Sequence, residues 1–571
     1  MRWTLAWAQR NPVKLSPVMN CRDRGVLLLL MRPVAALRDI VLRGLLALVA
    51  ITLAGCSSGS NSDSAQPITI SAGSNCDLSY TLTQSPVLIG SDPLLGDQWH
   101  LINTGQNGGT PGEDLRAAGA WSVTRGSGVR VAIIDDAVEL THPDLYPNLA
   151  QGASRSYRNG NRGSIWPVPC IKAEDDHGTA VAGLVLARDD NAIGVVGVAS
   201  RASLVGYDAL STSYDIDIAD ALTRDSQLNA IYQNSWGSPD DGHLHPADAV
   251  FSAAIQSGLL SGRQGKGSIY VFAGGNGRCF AVSKTGECQD DNSNFDGYVN
   301  QRGIVTVCAV DDNGKSPWYG EPGATLTVCA PSSGSGPVGV TTTALNGTYE
   351  SSFSGTSAST PMVSGVIALM LSVNPSLTWR DVRIILARSA RRNDPTDTGW
   401  LRAADGLQFN HKYGFGVANA QAAVALASTW SSVGGSAVMK TCDSPLRTPN
   451  LPLPDVTPDG KSTPVTDSLS ISGCDITSIE FVDIFFTASH SYSGDLKVSV
   501  SSPAAAVSQL ANARICKGNT GDTCGVYNNW RFGSMRHLGE AANGNWTMTV
   551  TDMGQGDTGR FDGWSLRLYG R

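Results

Sequence analysis

At 571 residues the chain exceeds one ordinary domain and is expected to fold as two or three. An apolar fraction of 41%, a charged fraction of 16% and 63 glycines exclude a fibrous or disordered protein and fit a loop-rich globular one. The formal net charge of −8 argues against a nucleic-acid binder, because phosphates select basic faces.

The first segment, residues 1–56, reads as a leader. "RPVAALRDIVLRGLLALVAITLAGC" runs from Arg32 to Cys56 with a basic start, an apolar stretch and small residues before a Cys, the layout of a secretory signal. The apolar run is short for a membrane span. Leu53-Ala54-Gly55-Cys56 resembles the bacterial lipobox, which implies an envelope lipoprotein anchored in the membrane by a lipid on Cys56; an ordinary signal peptide with a chance Cys is the alternative. Met31 is a candidate start, since signal peptides are seldom this long. Residues 57–90, with the polar tract "SSGSNSDSAQ", read as a flexible tether.

From residue 91 to residue 428 short apolar runs alternate with longer amphipathic or apolar stretches. Gly128–Asp135, Ala202–Leu210, Leu228–Gly237, Gly267–Asn276 and Gly303–Val310 read as buried strands, and a stretch such as Ala247–Leu260 reads as a helix. The alternation predicts an α/β domain, a doubly wound parallel sheet with helices on both faces. In such sheets functional groups gather beyond the C-terminal strand ends, which here carry Asp135, Ser235-Trp236-Gly237 and Asn276. Residues 429–465 are rich in Ser, Gly and Pro and read as linker or irregular edge. Residues 466–571 hold short alternating segments separated by turn residues, the pattern of an all-β sandwich of jelly-roll type.

Ten cysteines remain when Cys21 and Cys56 are set aside, an even number that suggests disulfides in an exported chain. Cys279–Cys288 and Cys516–Cys524 are the nearest candidate pairs; the connectivity stays open. No Cys/His set has the spacing of a zinc site.

Three motifs carry chemistry. "VAIIDDAVELTHPDL" puts Asp135 and Asp136 at a strand end, "DDHGTAVAGLV" puts His177 ahead of an apolar helix, and "SGTSASTPMVSG" puts Ser357 at the start of another. Acyl transfer at neutral pH needs a serine, an imidazole to take its proton and a carboxylate to fix the imidazole tautomer. Among four close serines, Ser352, Ser354 and Ser359 read as turn and helix-start residues, and Ser357 alone sits in the "GTS" entry of the apolar helix, which makes it the candidate nucleophile. Pro361 is expected in the first turn of that helix, where a missing N–H is tolerated, with Val363, Val366, Ile367, Leu369 and Met370 buried behind it.

These motifs, in the order Asp–His–Ser, resemble the subtilisin-like serine proteases, and "DDHGT", "NSWGSPDDG", "GGNG", "FDGYVN", "SPWYGE" and "GTSASTP" resemble their kexin/furin branch. "HSYSGDLKVSVSSP" and "NGNWTMTVTDMGQGDTGRFDGWSLRLYG" are similar to that branch's C-terminal P domain, expected to support the catalytic core rather than to bind ligands of its own. The resemblance implies that Asp135 orients His177, that His177 is general base then acid, that Ser357 is the nucleophile, and that Asn276 supplies an oxyanion donor. It implies that Asp240 and Asp296 line the P1 pocket. Asp136 with one of Glu174, Asp175 or Asp176 would serve P2, so that cleavage follows paired basic residues of protein or peptide substrates.

It further implies two calcium sites, one on Asp92, Asp144 and Asn191 with carbonyls near Arg188, Ile193 and Val195, the other on Asp240, Asp291 and Glu321. Three departures stand out. Ala137 replaces the family's Gly, "HLHPAD" lacks the usual P4 acid, and Gly152–Gly163 lacks the acids of a third calcium site. The short stretch between Cys56 and Asp92 leads to the expectation that no prodomain is present and that folding is unaided or uses an external chaperone. A monomer is expected. A broad-specificity protease and an inactive surface-binding lipoprotein are the competing readings.

Overall fold

A computed structural model describes residues 90–571, apart from 159–162, 171–174, 213, 280, 283–287, 290, 335, 337 and 517–522, together with the paired strands Ile68–Ser71 and Ser79–Leu82. The leader, its lipobox Cys56, most of the 57–90 stretch, Glu174 and part of Gly152–Gly163 lie outside the described residues.

Six parallel strands form the central sheet: β1 (Arg130–Ile134), β2 (Ser203–Tyr207), β3 (Ile231–Asn234), β4 (Ile269–Ala273), β5 (Ile304–Val310) and β6 (Leu326–Pro331). They lie in the order β6-β5-β4-β3-β1-β2. The sequence predicts the first five; β6 is an addition. β4, β5 and β6 are buried along their whole length, as a sheet covered on both faces requires. Cys308 and Cys329 face each other across β5 and β6 and form a disulfide.

The helices that matter most are α1 (His177–Leu186), α2 (Asp215–Thr223), α3 (Ala249–Ser261), α4 (Thr356–Val373), α5 (Trp379–Ser389) and α6 (Ala420–Ser428). Among the described residues α4 is the one helix long and apolar enough to cross a membrane, and 83% of its apolar window is buried in the protein. It is the central core helix, packed between the sheet and α1 and α6. A hairpin of β7 (Val340–Ala344) and β8 (Thr348–Phe353) leads into it.

The C-terminal part is a sandwich of two antiparallel sheets. Here the 429–465 stretch departs from a linker: β9 (Lys440–Asp443) and β10 (Leu451–Leu453) both pair with the last strand. The other strands are β11 (Val465–Ile471), β12 (Ile479–His490), β13 (Leu496–Ser501), β14 (Val507–Ala511), β15 (Tyr527–Ser534), β16 (Gly544–Asp552) and β17 (Gly559–Gly570). One sheet runs β9-β17-β12-β15 with β10 on β17, the other β11-β16-β13-β14. β16 buries Trp546, Met548 and Val550 in alternation, the period of a sheet with one face in the core. Disulfides join Cys442 to Cys474 and Cys516 to Cys524; the side chain of Cys288 lies outside the description.

The two domains share their cores. Leu244, Phe295 and Ala324 of the α/β domain belong to the sandwich's apolar cluster, and Ile384, Phe409 and Phe415 cluster with Phe481, Met535 and Tyr569. Polar links follow the same seam. Arg380 on α5 makes a two-pronged ion pair with Glu480 on β12, at 2.8 and 2.7 Å, with both side chains buried. Removing one partner of such a pair leaves an uncompensated buried charge. Glu480→Ala is therefore expected to lower the free energy of unfolding by ~3–5 kcal/mol, measured by denaturant titration with a probe in each domain. An unshifted midpoint in both probes would show that the pair does not couple the domains.

Candidate active site

Asp135 and Asp136 follow β1 directly. Asp135 Oδ1 lies 2.8 Å from His177 Nδ1 and also accepts the Asp136 N–H at 2.9 Å. A carboxylate facing Nδ1 holds the proton on that nitrogen and leaves Nε2 free as a base. His177 opens α1. The residue before it, Asp176, gives that helix no side-chain cap. Asp136 caps it instead, its carboxylate accepting from His177 N at 3.1 Å and Gly178 N at 2.8 Å. The approach is close enough to require glycine at 178, where a Cβ would meet the Ala137 carbonyl at 2.0 Å. Ala137 itself does not take a positive φ, so the family's glycine is dispensable there.

Burial disfavours the charged imidazole of His177, yet Asp135, with Asp136 and Asp176 nearby, raises its pKa to about 9. Its ring rests on Phe353, with centroids 5.4 Å apart. Phe353 escapes sequence reasoning because its role depends on where β8 ends.

Ser357 sits in the first turn of α4. The N-cap, Gly355, has no side chain to offer, and Asn276 from the end of β4 caps the helix across the sheet. Asn276 Oδ1 accepts from Thr356 N at 2.8 Å and Thr356 Oγ1 at 3.0 Å. A backbone N–H can meet only the oxygen end of an amide, so Asn276 Nδ2 faces the other way, with no hydrogen bond among the described residues. The Ser357 N–H, in the first helical turn, is also without a hydrogen-bond partner among them.

Pro361 is the sixth helical residue, one turn deeper than the sequence reading placed it. Its missing N–H is the one that would bond the Ser357 carbonyl. Ser235 Oγ fills that gap at 2.9 Å, and Ser357 Oγ in return donates to the Ser235 carbonyl at 3.2 Å. Ser235 is itself held by Gln233 Nε2 at 2.8 Å, and Gln233 Oε1 accepts from Ser364 Oγ of α4 at 2.6 Å. In this structure Ser357 Oγ and His177 are not hydrogen-bonded to each other; such contacts often close only with substrate in place. Of the neighbouring serines, Ser359 is buried and anchors α4 to the Ala330 carbonyl at 2.9 Å, while Ser352 and Ser354 are exposed.

The expected pocket acids divide. Asp296 accepts from Ser238 N and Oγ at 2.9 and 3.0 Å and from Tyr298 N at 2.7 Å, and burial raises its pKa. Asp240 accepts from Asn276 N at 3.2 Å. Asp175 differs from the expectation: it is buried and neutralised by an ion pair with Arg158, so it is no free pocket acid. Asp176 is the exposed acid beside His177. Asp136 is bound up in the α1 cap rather than turned wholly toward a substrate.

The residues expected to hold calcium fall in two groups. Asp240, Asp291 and Glu321 converge on Gly277, where a Cβ would lie 2.7 Å from Asp291, 2.8 Å from Glu321 and 3.0 Å from Asp240. Burial, reinforced by the mutual repulsion of these carboxylates, raises the pKa of Asp291 and of Glu321. Asp144 accepts from Asn191 Nδ2 at 2.7 Å and Val195 N at 2.9 Å. Asp92 accepts from the Asp190 and Asn191 N–H groups at 3.0 and 3.2 Å. Burial raises the pKa of Asp144 to about 7 and that of Asp92 as well. The Asp240, Asp291 and Glu321 set, three carboxylates, suits a hard divalent cation; in the other set Asp92 and Asp144 offer carboxylate oxygens while Asn191 turns its amide nitrogen to Asp144.

Two outcomes test this geometry. Ser235→Ala orphans the Ser357 carbonyl and is expected to lower kcat by ~10-fold with KM nearly unchanged, because positioning rather than binding is lost; an unchanged kcat would remove Ser235 from the positioning chain. A base with a raised pKa loses function as pH falls through that pKa. The acid limb of kcat/KM is thus expected above the ordinary imidazole value of 6.5, and lower in Asp135→Asn. A wild-type limb at or below that value would contradict the Asp135–His177 coupling.

The chain is similar to known proteins over both of its domains. The subtilase family model matches residues 126–416 and the proprotein convertase P-domain model matches residues 479–568. Protease KEX1 of Kluyveromyces lactis is 33% identical over 485 residues, covering 84% of this chain and 60% of its own length. Proprotein convertase subtilisin/kexin type 7 of Homo sapiens is 33% identical over 491 residues, again covering 60% of its length, so the chain spans about three-fifths of these two relatives. Neuroendocrine convertase 2 of Rattus norvegicus is 33% identical over 507 residues, 74% of its length. The crystal structure of the serine protease of Aeromonas sobria superposes with a TM-score of 0.73 at 25% identity, covering 89% of this chain and all of that one. A structure of that protease in complex with the chaperone ORF2 gives 0.72 at 24% identity, covering 86% and 96%. From the sheet and these matches together, the chain belongs to the subtilase family, carries a proprotein convertase P-domain, and is related to the kexins and convertases.

Proposed function

We propose that the protein is an exported, calcium-dependent serine endopeptidase that cuts proteins or peptides after basic residues. The observation that supports this reading is that the Asp135–His177 pair, Ser357 and the amide of Asn276 are each tied to the C-terminal end of β1, β3 or β4, neighbouring strands of the sheet. In the proposed reaction Ser357 Oγ turns from the Ser235 carbonyl and attacks the scissile carbonyl while His177 Nε2 takes its proton. Asp135 holds the imidazolium that forms. The oxyanion is met by Asn276 Nδ2 and the Ser357 N–H, both already oriented, so little reorganisation is needed. His177 returns the proton to the departing amine and then activates water to release the acyl group.

Basic specificity rests on Asp240 and Asp296 beside this site. Because Arg158 already neutralises Asp175, the preference at P2 falls to Asp136 and Asp176 and is weaker than at P1. Calcium bound by Asp240, Asp291 and Glu321, and by Asp92, Asp144 and Asn191, would offset the carboxylate repulsion and stiffen both loops. The lipobox at Cys56 supports an envelope location, with the protease held at a membrane by lipid. A solved relative captured with its chaperone supports folding with an external helper.

Peptides varied at P1 test the reading. Arg or Lys at P1 is expected to exceed an aliphatic residue by at least ~100-fold in kcat/KM, Ser357→Ala to abolish cleavage, and calcium chelation to lower both activity and the thermal midpoint. A preference for aliphatic P1 would make the enzyme a broad-specificity protease, and Ser357-independent cleavage would remove the proposed nucleophile.

A further inference from the structure

The loop after Asp240 holds a second constellation that neither the catalytic reading nor the calcium clusters use. Asp241, His243 and His245 alternate along the chain and turn their side chains to one point. His243 Nδ1 and His245 Nε2 lie 3.0 and 2.9 Å from the same oxygen, Asp241 Oδ1. The three atoms are all within 4.8 Å of one another. A tetrahedral zinc ion with bonds of ~2.0–2.1 Å sets its ligand atoms roughly 3.4 Å apart, so small adjustments suffice. Two imidazoles and one carboxylate suit a borderline transition-metal ion and not calcium, which takes oxygen ligands. The side chains are 18%, 31% and 25% exposed for His243, His245 and Asp241, open enough for an ion and a water to enter from solvent. Spacing alone hides the site, since an alternating D-x-H-x-H run meets at one point only if the loop bends for it.

The loop's backbone is already fixed. Gly242 N donates to Asp291 at 2.8 Å, the Gly242 carbonyl accepts from Arg514 of the P domain, Leu244 N donates to the Cys524 carbonyl at 3.3 Å, and His245 N to the Phe295 carbonyl at 2.9 Å. A site so held loses little entropy on binding.

We propose that Asp241, His243 and His245 form a binding site for a divalent transition-metal ion of the zinc class, separate from the two calcium clusters and from Ser357. On binding, each neutral imidazole presents its lone pair at the nitrogen that now faces Asp241 and carries its proton on the other ring nitrogen. Solvent completes the coordination. The ion clamps the segment that leads from Asp240 to the backbone beside Asp296.

The test titrates Co2+ into the calcium-saturated full-length protein and reads its visible absorption. One equivalent should give an intense low-symmetry band that Zn2+ displaces. The band should persist in His177→Ala and vanish in His243→Gln/His245→Gln and in Asp241→Asn. Far-UV circular dichroism and the metal-free thermal midpoint confirm that these variants are folded. In wild type, Zn2+ should also raise the thermal midpoint, and not in the double variant. Absence of the band in wild type, its persistence in the folded double variant, or its loss in His177→Ala would each overturn the assignment.

Discussion

A helix that starts inside a protein must find partners for its first N–H groups, and the candidate active site is built on how two helices do so. Neither α1 nor α4 carries its own side-chain cap. Asp136, from the end of β1, caps α1; Asn276, from the end of β4, caps α4. Each cap locks a helix start to a strand end, and those ends carry the remaining groups of the site. Satisfying the backbone therefore fixes the geometry of the chemistry: His177 falls beside Asp135, and Ser357 beside an amide whose donor end is left facing outward.

Pro361 adds a second constraint. It removes one hydrogen bond from α4, and the carbonyl so released belongs to Ser357. The reciprocal link with Ser235, backed by Gln233 and Ser364, turns that local defect into a tie between α4 and β3. The P domain holds another segment of the α/β domain. Asn292, Asn294 and Asn300, which bracket Asp296, are held by Asn512, Trp530, Arg531 and Gly533. The segment that carries Asp296 is thus packed onto the sandwich, and the two domains share apolar clusters at that seam. Support for the α/β domain is the physical role that these contacts give the sandwich.

Five of the six strands of the central sheet were legible because a strand buried on both faces is a continuous apolar run, whatever packs on it. β9 and β10 were not, since three- or four-residue strands among prolines carry no period of their own and exist only because β17 offers an edge. Asp175 read as a pocket acid by its place in the motif; Arg158, 17 residues earlier, takes its charge. The helix start at Thr356, one residue before the expected one, depends on Asn276, 80 residues away, and puts Pro361 in the second turn.

The sequence by itself determined the class of the two domains, the order of Asp135, His177 and Ser357, and the buried character of α4. These follow from periodicity and from motifs confined to a few neighbouring residues. The tertiary structure alone decided which acids are free and which are paired, which residues cap the two helices, and what holds the Ser357 carbonyl. It likewise decided that Asp241, His243 and His245 share one point. Charge pairing and hydrogen bonding are settled by distance in space, and between residues far apart in the chain that distance is set only when the sheet, the helices and the sandwich close on one another.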